Sequence, residues 1–259
     1  MRDLEFFEYT LAILSANLGR YIVISGGFFL VFYVFFRSRW SAEKIQPSYA
    51  NKNDYLREFA YSILTLLIFV GVALLVFYSP LREYNKLYRS IDEYGWGYWW
   101  FSVIAMILLH DTYFYWTHRA MHHPKVYRYV HLVHHLSRNP SPWAAFAFHP
   151  LEAIVEAGIV IFIAFLFPFH ITALLTFLIF MTVYNAYGHL GFELYPKGFH
   201  TTWVGKWINT SVAHNQHHEK FNGNYGLYFL FWDRWMGTLR TDYDKQFTVV
   251  DQKKGGRFS

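Results

Sequence analysis

The stretch YWWFSVIAMILLHDTYFYWTHRAMHH, residues 98–123, decides how the chain folds. It holds neither Pro nor Gly and is bounded by Gly97 and Pro124, so a single helix accommodates all of it. At 1.5 Å per residue that helix is about 39 Å long, more than the roughly 30 Å of a bilayer's hydrocarbon core. Tyr98–Leu109 is apolar, whereas the second half carries Asp111, His118, Arg119, His122 and His123. The reading is a membrane helix that continues into the aqueous phase and carries histidines out with it.

The flanking sequence repeats the apolar theme. Upstream, Leu11–Phe36 is interrupted only by Ser, Asn, Gly and Arg20 before the cluster Arg37-Ser-Arg39-Trp40, and Phe59–Ser79 is 21 residues without a charge. Each is long enough to cross a membrane. The first run is long and lacks a short basic start and a small-residue cleavage site, which speaks against a cleaved signal peptide. Downstream, Ala153–Gly188 contains Pro168-Phe-His170 at its middle. Two short segments, Ala153–Phe167 and Ile171–Tyr187, suit that breaker better than one tilted helix of about 36 residues. A hairpin also returns the chain so that His214–His218 lies on the same side as residues 118–135. The expected fold class is therefore all-α and integral to the membrane, with four to five membrane helices or hairpin segments under a histidine-rich helical cap. Residues 1–95 read as N-terminal membrane helices, 96–240 as the histidine-bearing domain, and 241–259 as a tail that frays from Lys253.

Composition agrees with that class and excludes others. Of 259 residues, 54% are hydrophobic, 22% aromatic and only 16% charged, against about 25% charged in soluble domains. No cysteine is present, which removes disulfides, thiolate zinc sites, iron–sulfur clusters and cysteine nucleophiles together. The net charge of +5 comes without a basic run or an RNA-binding motif, so nucleic acid is not an expected partner. Topology explains the excess better. Five Lys/Arg in 37–58 and four in 118–142 lie on the histidine side, against two in 1–20 and three in 80–95 on the other. Nine against five favours a cytoplasmic histidine side, in a bacterial inner membrane or the endoplasmic reticulum.

Nine of the fourteen histidines fall in three boxes: His118-Arg-Ala-Met-His122-His123, His131-Leu-Val-His134-His135 and His214-Asn-Gln-His217-His218. On a helix, positions i, i+3 and i+4 share a face, so each box presents two or three imidazoles to one point. Neutral imidazole suits Fe, Zn, Cu and Ni, and this many nitrogens exceeds what one tetrahedral zinc takes. Two metals sharing eight or more histidines is the better count. At about 100° per residue, Asp111, Tyr115, His118 and His122 fall within a 60° arc, while His123 lies about 140° from His118. His118 and His122 are the expected ligands there. Asp111 is placed in the catalytic site as an acceptor that orients an imidazole N–H, with a helix-interior ion pair as its alternative. His110 points about 80° away from His118, His170 sits at the far turn, and both take structural roles.

The run Asp111-Thr-Tyr-Phe-Tyr-Trp116-Thr-His118-Arg119-Ala-Met-His122-His123-Pro124, followed by the second box, resembles the fatty acid hydroxylase superfamily. That group includes sterol desaturases, sterol methyl oxidases, fatty acid hydroxylases and alkylglycerol monooxygenases. Phe148-His149-Pro150-Leu151-Glu152 and Gly188-His189-Leu-Gly-Phe-Glu193 are also similar. The last block, from His214 through Asn224-Tyr-Gly-Leu-Tyr-Phe229 to Trp232-Asp233-Arg234-Trp-Met-Gly237-Thr238, is especially like sterol C-5 desaturase relatives. The resemblance covers about residues 100–240; residues 1–95 share only hydrophobicity.

What it implies is an integral membrane oxygenase with two iron ions on the cytosolic side, O2 as co-substrate and a lipid as substrate; zinc is a possible metal in a purified form. The ligands it implies are His118, His122, His131, His134, His135, His214, His217 and His218, with His189 as a further ligand and His200 as the alternative for that place. His149 is left between ligation and a supporting role. Hydroxylation and desaturation both follow from such a site. Without a flavin, nicotinamide or haem-binding motif, electrons are expected from a separate reductase, ferredoxin or cytochrome. Trp99, Trp100, Tyr113 and Phe114 are candidates to line a lipid channel, or else form an interfacial belt or pack in the core. Asp233 and Arg234 are expected as a buried pair closing the histidine bundle, with a docking edge for the electron donor at Trp232-Asp233-Arg234 as the alternative. The competing reading is a membrane zinc hydrolase or metal-handling protein. A transporter would place ligands inside its spans, and a hydrolase box usually carries a Glu that His214-Asn-Gln-His217 lacks.

Overall fold

The computed structural model of the chain describes residues 2–254. It is helical, with one two-residue parallel strand pair, Leu87–Tyr88 on Phe169–His170. Helix α1 (Arg2–Phe29) continues as a π-helical stretch, Leu30–Phe35, into the short α2 (Arg37–Trp40). Helix α3 (Lys52–Phe77) follows, opened by a reciprocal cap in which Asn51 Oδ1 accepts from the Asp54 amide and Asp54 Oδ2 from the Asn51 amide. The 98–123 stretch becomes α4 (Gly95–Met121), a single helix as its lack of breakers requires.

Pro124 starts a new helix rather than ending the structure. Helix α5 (Pro124–Val130) runs into α6 (Leu132–His135). The apolar region after it is two helices, α7 (Pro150–Leu166) and α8 (Ile171–Gly188), broken at Phe167-Pro168. Helices α9 (Ser211–Lys220), α10 (Phe231–Trp235) and α11 (Tyr243–Lys253) complete the chain. Three helical stretches among the described residues are long and apolar enough to cross a membrane: Glu5–Phe35, Lys52–Phe77 and Ile171–Gly188. Helix α4 falls outside because its second half carries Asp111, His118 and Arg119, and α7 because 17 residues rise only about 25 Å.

Helices α1, α3, α4, α7 and α8 bury one apolar core, which includes Tyr21, Leu66, Met106, Phe146, Ile163 and Phe177. A second core sits at the histidine end. There Tyr243, Phe247 and Val250 of α11 bury against Val212 and Ala213 of α9. The segment expected as a tail is therefore a packed helix up to Lys253, because these three aromatic and branched residues recur on one face. Lys253 Nζ donates to the carbonyls of Lys44 and Ile45 at 2.8 and 3.2 Å, and Lys254 Nζ to that of Tyr195 at 2.6 Å. The expected fraying thus begins no earlier than residue 255; residues 255–259 lie outside the described residues.

Candidate metal centre

The three boxes and the α8 terminus meet above this core. His118 and His122 come from the end of α4, His131, His134 and His135 from the α5–α6 junction, His189 from the residue closing α8, and His214, His217 and His218 from α9. They form two groups, within each of which one nitrogen from every residue lies within 4.8 Å of all the others. The first holds His118, His122, His131, His135 and His217; the second holds His134, His189, His214 and His218. Adjacent residues on a helix are about 100° apart. That angle sends His134 and His135 to opposite groups, and likewise His217 and His218. The two groups abut, with the His135 and His218 rings 4.8 Å apart.

Which nitrogen faces inward is decided by the outer partners. His118 Nδ1 donates to the Tyr225 carbonyl at 2.9 Å, and His217 Nδ1 to that of Gly223 at 2.8 Å. His189 Nδ1 donates to Asn185 O at 2.7 Å, His218 Nδ1 to Ser137 O at 2.9 Å, and His131 Nδ1 to Glu152 Oε1 at 2.7 Å. A carbonyl oxygen only accepts, so the Nδ1 atoms of His118, His217, His189 and His218 carry the protons and their Nε2 atoms are left as bare lone pairs. Yet His218 Nε2 stands 3.2 Å from His189 Nε2, both rings being held at Nδ1 by carbonyls. Two lone pairs at that distance repel unless a cation lies between them. Metal–nitrogen bonds of about 2.1 Å place neighbouring ligand atoms about 3.0 Å apart at right angles and about 3.4 Å at tetrahedral angles. The remaining Nε2 contacts span the same range, from 3.0 Å for His214 with His189 to 3.4 Å for His189 with His134. His217 Nε2 is buried with no hydrogen-bond partner. The donor set therefore fits two metal ions.

Burial, and then the neighbouring histidines, push His131, His134, His135, His214, His217 and His218 well below the ordinary histidine range. Each is neutral at physiological pH, the form that binds metal. Glu152 is the partner that sequence reasoning missed. It lies in the first turn of α7, three residues after the His149 cap, and its carboxyl group holds the His131 ring from behind. Replacing Glu152 by alanine is expected to weaken metal binding about 10- to 100-fold, read as metal retained against a chelator. Unchanged retention would leave Glu152 with no part in the centre.

The other expected residues separate cleanly. His189 joins the second group, whereas His200 stacks on Phe247 at 4.3 Å, among α11 residues. His123, His149 and His170 each cap a helix, accepting at Nδ1 from the amides of Lys125, Leu151 and Thr172. The Pro after His123 and His149 takes the first helical position, where its missing N–H costs nothing. His110 Nδ1 pairs with Tyr228 Oη at 2.8 Å. Asp111, expected to orient an imidazole, instead accepts from the backbone amides of Tyr228 and Phe229 at 2.7 and 3.1 Å. The expected Asp233–Arg234 pair does not form. Asp233 accepts from the Tyr225 and Gly226 amides and from Thr238 Oγ1, while Arg234 Nε donates to the Lys206 carbonyl. Two acids thus anchor the loop after α9, which supplies the Tyr225 and Gly223 carbonyls. Asp233→Ala leaves the Tyr225 and Gly226 amides unmatched and is expected to cost about 3 kcal/mol, seen as a lowered unfolding temperature in detergent. A change below 1 kcal/mol would contradict it.

Below the centre lies a cavity of about 370 Å³ between α1, α3, α4, α7 and α8, within the range of small-molecule sites. Its upper wall includes Phe114 and Phe148, whose rings lie 4.8 Å from His118 and 5.2 Å from His134. Of the four aromatics proposed as channel lining, Phe114 alone lines it. Trp99 is buried with its indole N–H on Thr172 Oγ1, Trp100 is 58% exposed, and the Tyr113 hydroxyl is spent on the Val155 carbonyl.

The chain is 32% identical over 189 residues to a Delta(7)-sterol 5(6)-desaturase of Gibberella zeae, covering 73% of this chain and 57% of that protein. It is 32% identical over 191 residues to a lathosterol oxidase of Rattus norvegicus and 30% identical over 191 residues to that of Homo sapiens, covering 73% of this chain and 62% of each. The chain thus spans about three-fifths of the length of the curated relatives it matches. No solved structure matches it significantly. The fatty acid hydroxylase family model matches residues 103–238, which hold all nine converging histidines and Glu152. The chain belongs to the fatty acid hydroxylase family.

Proposed function

We propose that this chain is a membrane-embedded, O2-dependent di-iron oxygenase that hydroxylates or desaturates a C–H bond of a sterol-like or long-chain lipid. The observation that carries the reading is the pair of buried all-histidine groups, five and four, at one end of an apolar cavity. The sterol desaturase and lathosterol oxidase relatives support the lipid class.

A bound iron pair supplies the reduction of O2 to an oxidant able to take hydrogen from an unactivated C–H bond. The chain's own residues do the rest. Nine imidazoles hold the pair, and Glu152 and the loop carbonyls fix their tautomers. Phe114 and Phe148 screen the centre from water on the cavity side. The cavity walls fix which carbon comes nearest. Hydroxylation takes up O2, two electrons and two protons and yields the alcohol and one water; desaturation takes up the same and yields the alkene and two waters. The electrons come from a separate reductase, ferredoxin or cytochrome, and the lipid from the bilayer. The Lys/Arg count supports a cytoplasmic side for the centre.

The test is oxygen consumption by protein purified without air, given a ferredoxin with its reductase and sterol or long-chain lipid substrates. The expected result is one O2 consumed per oxidised lipid. Bound zinc with no oxygen uptake for any lipid would favour the hydrolase reading instead.

A further inference from the structure

Glu152 and Glu156 stand four residues apart on α7, so they share a face about 6 Å apart along the axis. Glu152 is taken by His131. One turn deeper, Glu156 is 7% exposed, lines the cavity, and is the only acid among its lining residues. Its Oε1 is buried with no hydrogen-bond partner. The polar groups nearby are already occupied: His110 Nδ1 by the Tyr228 hydroxyl, the Tyr113 hydroxyl by the Val155 carbonyl. Leaving a buried carboxyl oxygen unmatched is costly. The adjacent wall of α7 is Ala157, Ile159 and Val160, where an apolar side chain would carry no such cost.

The position of Glu156 gives the cavity a direction. It lies at the metal end, with Phe114 and Phe148, while α3 closes the opposite end at Phe77. We propose that Glu156 binds the hydroxyl group of an alcohol lipid, the O–H donating to the carboxyl group on the side that faces the cavity and the apolar body extending along the cavity toward Phe77. The inference rests on the lipid-oxygenase reading and deepens it. The substrate enters hydroxyl end toward the metal centre, and the attacked C–H bond lies in the part of the lipid next to that hydroxyl, not at a remote chain end. Glu156 is a positioning and specificity residue; it touches the substrate's head, not the metals.

The test is equilibrium binding to the metal-loaded protein in detergent, with two matched pairs: a sterol and its deoxy analogue, and a long-chain primary alcohol and the alkane of equal length. The wild type is expected to prefer the hydroxylated member of one or both pairs by about 10- to 100-fold; the pair that shows it identifies the source. Glu156→Leu should bring that ratio to within about threefold of unity while both metals stay bound. Glu156→Gln, which keeps shape and one acceptor oxygen, should restore most of it and serves as the test if the leucine variant does not fold. A leucine variant with the wild-type ratio, a glutamine variant with no preference, or a wild type indifferent to the hydroxyl in both pairs overturns the proposal. Because binding is read without turnover, a protein that discriminates the pairs yet consumes no O2 would sink the oxygenase reading and leave the hydroxyl anchor standing.

Discussion

His214→Ala is expected to lower the bound metal from two ions per chain to one. His214 belongs to the four-membered group, so its loss leaves three imidazoles there, while the five-membered group is complete. His217→Ala has the reverse pattern: it takes one nitrogen from the group of five and none from the group of four. Both variants should insert normally, since neither side chain touches the membrane-facing helices' apolar core, and both should lose turnover by about 100-fold or more, as removal of a metal ligand does. His134→Ala behaves like His214→Ala, and its neighbour His135→Ala like His217→Ala. That adjacent residues affect different metals is the specific expectation. Metal analysis of the four variants checks it; equal loss of both metals from all four would mean the two groups act as one site. His200→Ala, on the α11 side, is expected to keep both metals.

Acidification should have an effect of comparable size on the metal-free protein. The six histidines from α6, its flanking residue and α9 have their folded-state values pushed well below the usual histidine range by burial. In the unfolded chain they titrate near 6.5. Above that value neither state binds the protons, and stability is at its full level. As the pH falls below it, the unfolded state takes up protons that the folded state refuses, and stability is lost. Each group contributes a slope of up to about 1.4 kcal/mol per pH unit, offset in part by Glu152, whose carboxyl is pushed by burial well above the usual range and which gains stability as the pH falls. The unfolding temperature in detergent should therefore hold steady from pH 8 to 7 and drop steeply below pH 6.5. A flat profile down to pH 5 would show that these imidazoles are hydrated or already protonated in the folded chain. Bound metal should shift the drop to lower pH, because the same nitrogens then hold a cation.

Much of this was legible in the sequence, and the reasons differ by element. The box spacing names eight of the nine converging histidines because i, i+3 and i+4 neighbours on a helix share a face, and the family resemblance adds His189. Helical phase also separates His122 from His123, and Pro168 divides α7 from α8. Three kinds of information were not local. The split into groups of five and four depends on how α4, α6, α8 and α9 dock, which no single helix encodes. Glu152 meets His131 across 21 residues of chain, and Asp111 meets the Tyr228 and Phe229 amides across more than a hundred. Asp111 shares the arc of His118 and His122, and that alone suggested an imidazole partner; the returning loop after α9 claims its carboxylate instead. The C-terminal helix was missed because Tyr243, Phe247 and Val250 sit among six charged residues in 242–254, so the stretch reads as polar until α9 is there to cover it.

The central claim is that nine histidines hold two iron ions, and metal stoichiometry with Mössbauer spectroscopy on protein purified without air tests it most directly. The account predicts two irons per chain in a histidine-rich, nitrogen-ligated environment. One zinc per chain, with no iron taken up on reconstitution, would contradict it.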